Sequence, residues 1–128
     1  MILLDTDVCI EILRGTPRVA EHWKRSRVLA AVSFTTVGEL HYGAERSGAL
    51  DKNRRLVQMF LLSVHVIQSD NEIMRKFAEL KNELALIGEM LPDADILIAA
   101  TCLCKCDSLV SGNARHFKRF KHLKMECW

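Results

Sequence analysis

Short apolar runs alternate along the chain with stretches in which apolar residues recur every three or four positions. This alternation predicts an α/β fold with a doubly wound, parallel sheet. Four runs are apolar enough for buried strands, and a weaker pattern near the end predicts an edge strand. The four runs are residues 2–4, 28–34, 64–67 and 109–111, and the edge strand is expected at residues 123–127.

Helices are predicted between these runs from cap residues and from period-3.6 patterns. Thr6 and Asp7 are good N-cap types for a helix that stops near Gly15, and Pro17 suits the first turn of the next helix. Further helix starts are predicted at Thr35 or Thr36, at Asp51, at Asp70, at Asp93 after Pro92, and at Ala114 for a short basic helix.

The composition is that of an ordinary globular protein, with 49% apolar and 27% charged residues in 128 positions. The whole length, residues 1–128, is expected to form one domain. The apolar run at residues 2–4 has no basic region before it, and no run approaches the roughly 20 apolar residues that a membrane helix needs. A cytoplasmic protein without a membrane partner is therefore expected.

The five cysteines are odd in number and form no CxxC pair, which favours reduced thiols over a disulfide framework. Three of them alternate with other residues near the end of a predicted helix. At that spacing the middle side chain points away from the outer two, so the three do not converge on one ion. The cysteines are Cys9, Cys102, Cys104, Cys106 and Cys127.

The formal net charge is only +2, but it is unevenly distributed. Residues 1–112 carry 13 basic and 15 acidic side chains, whereas residues 113–128 carry five basic side chains against Glu126 alone. Such a segment is typical of a surface for a polyanion, although a solvated basic tail has the same composition. Its basic residues are Arg115, Lys118, Arg119, Lys121 and Lys124.

Polar side chains follow the predicted strands at the edge where α/β sheets bind ligands. Asp5 ends the first strand, Ser111 and Asn113 end the fourth, Glu39 lies one turn into the helix after the second strand, and Asp95 lies in the first turn of the helix after Pro92. Three carboxylates in one cleft repel each other unless a cation joins them. Oxygen ligands favour Mg²⁺ or Mn²⁺.

Each of these acids has a structural alternative. Asp5 has the right position for a helix cap, and Glu39 is an ordinary surface residue in its local context. Asp93 and Asp95 both fall in a first helical turn, where negative charge is common for dipole reasons, so one of the two is expected to be only a cap.

Taken together, four segments resemble the successive motifs of PIN-domain ribonucleases, most closely the VapC toxins. The segments are LLDTD at residues 3–7, SFTTVGEL with YGA at residues 33–40 and 42–44, DILIAA at residues 95–100 and LVSGNARHF at residues 109–117. The resemblance implies a three-layer sandwich with a mostly parallel sheet of four or five strands. It also implies a Mg²⁺- or Mn²⁺-dependent endoribonuclease whose catalytic and metal-binding acids are Asp5, Glu39 and Asp95.

The chain departs from the family pattern at three positions. Asp7 stands where the family often has Asn, Ser111 stands for Thr, and Asn113 occupies the position of a fourth Asp. These three residues and Asp93 are expected to be accessory to the site. The missing fourth carboxylate leaves one-metal and two-metal catalysis open, and it also leaves open a PIN-fold module that binds RNA or an antitoxin without cutting.

The resemblance implies partners as well. Arg115, Lys118 and Arg119 would contact the phosphates of an RNA substrate. VapC-like proteins form homodimers and are silenced by a VapB-like antitoxin, whose C-terminal segment fills the active-site groove. Helical residues 8–13 and 56–62 are candidates for part of that groove, although most of them also suit the core.

Two other enzyme or switch classes share the predicted fold class. A receiver domain would use Asp70 as its phospho-acceptor, but the late strand ends in Ser111 and Asn113 without the Lys that such domains place there. A haloacid dehalogenase-type phosphatase is suggested by residues 5–8, but the chain lacks the late pair of acids and the usual length of those enzymes.

Overall fold

In the computed structural model, which describes residues 1–128, five parallel strands form one sheet in the order β3-β2-β1-β4-β5. The strands are β1 (Ile2–Leu4), β2 (Ala30–Ser33), β3 (His65–Ile67), β4 (Ser108–Val110) and β5 (Met125–Glu126). The predicted α/β class and parallel sheet are confirmed, including the edge strand near the end of the chain.

Seven helices connect and cover the strands. They are α1 (Thr6–Arg14), α2 (Pro17–Ser26), α3 (Phe34–Glu45), α4 (Leu50–Leu62), α5 (Asn71–Leu86), α6 (Asp93–Lys105) and α7 (Ala114–Phe117), with one 3₁₀ turn at Arg27–Leu29. None of the helices is both long and apolar enough to cross a membrane.

The two faces of the sheet bury two separate apolar cores, which makes the fold three-layered. Leu3 packs into the core under α5 and α6, whereas its neighbour Leu4 packs into the core under α1, α3 and α4. Both side chains are fully buried. Successive residues of a strand point to opposite faces, so a sheet covered on both faces needs continuous apolar strands rather than alternating ones.

The strand order reverses at β1. The chain passes from β1 to β2 and β3 on one side and then crosses to place β4 on the other side of β1. In such a sheet the crevice for ligands lies at the carboxyl ends of the two strands at the reversal. Asp5 and Ser111 are the residues that directly follow these two strands.

The second strand is shorter than residues 28–34, and its flanks were predicted wrongly. Val28 and Leu29 are 86% and 57% exposed in the 3₁₀ turn, so their apolar character does not mark a strand. At the other end Ser33 caps α3, because its Oγ accepts the Thr36 amide at 3.2 Å. The helix therefore starts before Thr35 and Thr36, neither of which is the cap.

Helix caps are confirmed at some predicted positions and shifted at others. Asp5, rather than Thr6 or Asp7, is the N-cap of α1, and Gly15 ends that helix with φ of 74°. Asp70 caps α5 as predicted, with its Oδ1 accepting the Ile73 amide at 2.8 Å.

The five cysteines are all free thiols. Cys9 and Cys102 are buried among apolar side chains, and burial raises the pKa of Cys102 to about 12. Cys106 lies just past the end of α6, so it does not share a helix with Cys102 and Cys104. Buried, protonated thiols of this kind act as small apolar side chains.

Candidate active site

Asp5 is the most constrained acid of the molecule. Its side chain is 6% exposed at the end of β1, and its amide donates to the Val110 carbonyl at 2.9 Å. The Ser111 hydroxyl donates to Oδ2 at 2.7 Å, and the Thr6 amide donates to Oδ1 at 2.8 Å. Neighbours on β4 and α1 therefore fix the carboxylate between the two strands at the switch in strand order.

Asp7 lies beside Asp5, and the two carboxylates interact directly. Burial, and next the negative charge of Asp7, raise the pKa of Asp5 to about 7, although the hydrogen bonds from Ser111 and Thr6 lower it. Asp7 Oδ2 accepts the Gly112 amide at 3.2 Å, but its Oδ1 is buried without a hydrogen-bond partner. The hydrogen-bond donors around the pair thus do not balance its negative charge.

Gly112 is what lets the loop after β4 approach Asp7. A Cβ at this position would lie 3.0 Å from Asp7 Oδ2, closer than ordinary van der Waals contact. A side chain at this position would require the loop or the Asp7 carboxylate to shift by a few tenths of an ångström, which would disturb the contact between them.

Glu39 is exposed on α3 and is held by a threonine that the sequence pattern indicated only as a cap candidate. Thr6 Oγ1 donates to Glu39 Oε1 at 2.6 Å and lies 2.9 Å from Thr36 Oγ1. Thr6 has one hydroxyl hydrogen, which goes to Glu39, so Thr36 is the donor to Thr6. This chain of hydroxyls ties α1 to α3 next to Asp5.

Asp95 is half-buried in the first turn of α6 and contacts His116. Asp95 Oδ2 lies 3.0 Å from His116 Nδ1, and the Asn113 side-chain amide lies 2.9 Å from the same ring nitrogen. His116 was not predicted from the sequence as a site residue, although this histidine lies within the motif at residues 109–117. Its position three residues after Asn113, one helical turn, was the available signal.

Hydrogen bonds link the three predicted acids at one rim of the sheet. The linked residues run Glu39, Thr6, Asp5, Ser111, Asn113, His116 and Asp95. No three His, Cys, Asp or Glu side chains stand close enough together to hold a metal ion in this arrangement. The acids share a rim, where Thr6 holds both Asp5 and Glu39 and His116 contacts Asp95.

Asp93 lies outside this network. Its exposed carboxylate pairs with Lys81 Nζ at 2.9 Å. Asp93 and Asp95 both lie in the first turn of α6 as predicted, but Pro92 occupies the N-cap position, so neither of them caps the helix through a hydrogen bond. Asp95 contacts His116 instead.

The three basic residues expected to contact RNA have different surroundings. Arg115 and Lys118 are exposed and free of ion pairs. The Arg119 guanidinium donates to the Glu89 carbonyl at 3.1 Å and to the Met90 carbonyl at 3.5 Å. Arg119 is thus engaged with the loop between α5 and α6, while Arg115 and Lys118 are available to anions.

The donor set at the rim suits a hard divalent cation. Carboxylates, the Ser111 hydroxyl and the Asn113 amide are oxygen donors of the kind that Mg²⁺ and Mn²⁺ prefer. The buried Asp7 Oδ1 has no partner, and burial, followed by the charge of Asp7, raises the pKa of Asp5; a cation would offset both effects. The chemistry of these donors therefore fits such an ion, while no three of the acids converge in the arrangement described.

A groove runs from Glu39 along α1, α3 and α4. It comprises two adjoining cavities of about 360 and 440 Å³, which share Glu39 among their lining residues. Ile10, Leu13, Leu56 and Val57 line its apolar part. The groove therefore reaches the acidic rim. It is lined by residues from both segments that were predicted as candidates, residues 8–13 and 56–62.

Known proteins resemble the chain over nearly its full length. The family model described as PIN domain matches residues 2–123. "Ribonuclease VapC2" of Haemophilus influenzae is 31% identical over 127 residues, covering 98% of this chain and 96% of the relative, and "tRNA(fMet)-specific endonuclease VapC" of Shigella flexneri is 28% identical with the same coverage. The crystal structure of DNA-bound VapBC from Salmonella typhimurium superposes with a TM-score of 0.93 at 28% identity, over 99% of this chain and 97% of that one.

Proposed function

The chain belongs to the PIN domain family and is related to the VapC ribonucleases, and from this premise we propose that it is a Mg²⁺- or Mn²⁺-dependent endoribonuclease, the toxin of a VapBC-type pair. The observation that carries the metal-dependent part is the pair of the buried Asp5 and the half-buried Asp7, whose Oδ1 is buried without a partner at the switch in strand order. Membership of the PIN domain family excludes the receiver-domain and phosphatase alternatives. Asp70, which a receiver would phosphorylate, caps α5 and pairs with Lys105 at 2.8 Å.

The proposed reaction is hydrolysis of an RNA phosphodiester. A bound divalent cation supplies positive charge that acidifies the attacking water and offsets charge on the leaving oxygen. Asp5 and Asp95 would hold the ion, and Glu39 would position the attacking water. Ser111 and Asn113 would order the surrounding water, Ser111 while keeping its hydrogen bond to Asp5.

Substrate binding is assigned to the exposed basic side chains at the same end of the molecule. Arg115 and Lys118 would contact phosphates that flank the scissile bond, and such contacts set register without reading sequence. Arg119 already donates to two backbone carbonyls, so we assign it to loop structure rather than to RNA.

The test is cleavage of total RNA by the purified protein, with mapping of the new ends. Cleavage is expected with Mg²⁺ or Mn²⁺ and not with a chelator, and Asp95→Asn is expected to lower the rate about 10²-fold because it removes one charged ligand. Asp51→Asn is the matched control, since Asp51 is an exposed acid in the first turn of α4. RNA binding without metal-stimulated cleavage would instead support a PIN-fold module that does not cut.

We further propose that a VapB-like antitoxin binds in the groove that ends at Glu39. The Salmonella, Rickettsia and Haemophilus structures that resemble this chain are VapBC complexes. The apolar lining from α1 and α4 suits apolar side chains of a partner segment, and Glu39 at its end places the occupied groove next to the acids. Homodimer formation stays a prediction from the resemblance, which light scattering checks.

A single charge in the groove should disrupt antitoxin binding. Leu56→Asp buries a carboxylate against apolar side chains when a partner is bound, so we expect binding to weaken at least about tenfold. Leu62→Asp is the matched control, because Leu62 is on the same helix but is 89% exposed and lines no part of the groove. The measurement is co-purification and calorimetry with a VapB-like antitoxin, and equal loss in both variants would contradict this groove.

A further inference from the structure

The segment from Ser111 to His116 contacts both of the acids that are assigned to the metal. At one end the Ser111 hydroxyl donates to Asp5 at 2.7 Å, and at the other end His116 Nδ1 lies 3.0 Å from Asp95. Between them the Asn113 backbone amide donates to Ser111 Oγ at 2.9 Å. One short loop and the first turn of α7 thus span the distance between two acids that come from β1 and α6.

The contacts at His116 fix which of its nitrogens carries the proton. Asp95 as a carboxylate only accepts hydrogen bonds, so Nδ1 must be the donor in the 3.0 Å contact. The Asn113 side-chain amide lies 2.9 Å from the same nitrogen, and it therefore turns its oxygen, not its nitrogen, toward the ring. Nδ1–H is then shared between two acceptors, and the side-chain nitrogen of Asn113 is left free.

The position of His116 suits an orienting role better than a role in the core. Its side chain is 34% exposed and that of Asp95 is 22% exposed, so the pair lies at the edge of the rim rather than inside the protein. One carboxylate oxygen of Asp95 is held by the ring, which leaves the other oxygen for a ligand. Side chains that fix a ligand in this way commonly change metal affinity or activity 10- to 100-fold when they are removed.

We propose that His116 is a positioning residue, which orients Asp95 for the divalent cation by donating from Nδ1, and that the Ser111–His116 segment sets the spacing between Asp5 and Asp95. This inference rests on the proposed metal-dependent function. It assigns His116 no contact with RNA or with the reacting atoms.

The first test compares two substitutions of His116 in the purified full-length protein. His116→Leu removes the donor, and we expect the Mg²⁺ affinity measured by calorimetry to fall about 10- to 100-fold and the Mg²⁺ midpoint of RNA cleavage to rise in parallel. His116→Asn places an amide N–H near the position of Nδ1, and we expect it to restore most of both. His122→Leu, which changes an exposed histidine in the same basic segment, is the control and should match the unmodified protein.

Unchanged Mg²⁺ affinity in His116→Leu, or equal losses in His116→Leu and His116→Asn, would overturn the proposal. A second measurement does not depend on any variant folding. Ring-nitrogen NMR of the unmodified protein should show the neutral His116 ring protonated on Nδ1, and a ring with a bare Nδ1 would also overturn it.

The ribonuclease function and the positioning role of His116 can fail separately. If the unmodified protein does not cleave RNA, the proposed ribonuclease function is wrong, while the ring NMR and the Mg²⁺ titration still decide the role of His116. If the protein cleaves RNA and His116→Leu cleaves it with the same Mg²⁺ midpoint, only the positioning role is wrong.

Discussion

Asp5→Asn is expected to abolish RNA cleavage and, in the same protein, to raise stability above pH 7. The substitution removes the charge that the cation needs most, because Asp5 is the buried acid at the strand switch. Metal-mediated stabilisation of the transition state is worth several kcal/mol, which corresponds to a loss of about 10³-fold or more. The stability gain follows from the raised pKa of Asp5, because its ionised form is the unfavourable one in the folded protein.

The amide can keep most of the native contacts of Asp5. Its oxygen can still accept the Thr6 amide as the N-cap of α1, and its nitrogen can donate to Asp7 in place of the repulsion between two carboxylates. Ser111 Oγ then accepts rather than donates. We expect the midpoint of thermal unfolding at pH 8 to rise by about 5 °C, which corresponds to between 1 and 2 kcal/mol for a domain of this size.

Cleavage assays and thermal unfolding of the same preparations check both halves of this prediction. Asp51→Asn, which removes an exposed acid from the first turn of α4, should leave the rate unchanged and should not raise the midpoint, because negative charge favours that helix terminus. Cleavage by Asp5→Asn at the unmodified rate would remove Asp5 from the catalytic assignment. A lower midpoint of thermal unfolding at pH 8 would show that the Asp5 carboxylate stabilises the fold, rather than lowering its stability in return for function.

The strands and the positions of the acids could be predicted because they depend on local pattern and on a topological rule. Apolar runs bury on both faces of a parallel sheet, so residues 2–4 and 109–111 identify β1 and β4 without any knowledge of their partners. The rule that ligands bind at the carboxyl ends of strands then points to Asp5 and Ser111. Neither step requires knowing how a side chain is oriented.

The errors arose where a tertiary contact decides the outcome. Val28 and Leu29 are as apolar as strand residues, but the chain turns before β2 and leaves them exposed. Ser33 rather than Thr35 caps α3, because the helix starts as soon as the strand leaves the sheet. The spacing of His116 from Asn113 indicates their local contact, but the contact with Asp95 depends on α6 and α7 lying side by side, which no local pattern contains.

The identity of residue 7 should control how stability depends on pH. The folded-state pKa of Asp5, about 7, lies above the value of about 3.9 for an unfolded chain. Between these values the folded protein holds a proton that the unfolded chain has released. The stability contributed by this proton is therefore full below the unfolded pKa, and it is lost as the pH rises through the folded pKa.

Asp7→Asn should flatten this dependence in the metal-free protein. It removes the negative charge that is the second cause of the shift after burial, so the pKa of Asp5 falls and the loss of stability between about pH 4 and pH 7 becomes smaller. The side-chain oxygen of the introduced asparagine can still accept the Gly112 amide, so the loop after β4 keeps its contact. Denaturant unfolding from pH 4 to pH 8, with a chelator present, measures the difference, and Asp51→Asn should keep the slope of the unmodified protein.

Adding Mg²⁺ separates the electrostatic explanation from a packing effect. A cation beside Asp5 and Asp7 relieves the same repulsion, so it should stabilise the unmodified protein more at pH 8 than at pH 5, where protons compete for the carboxylates. Asp7→Asn leaves less repulsion to relieve, and the gain from Mg²⁺ at pH 8 should shrink with it. The opposite result is that both proteins lose stability equally from pH 4 to pH 7 and gain equally from Mg²⁺. That result would show that the charge of Asp7 does not act on Asp5, and that the unpartnered Oδ1 of Asp7 is not part of the ion site.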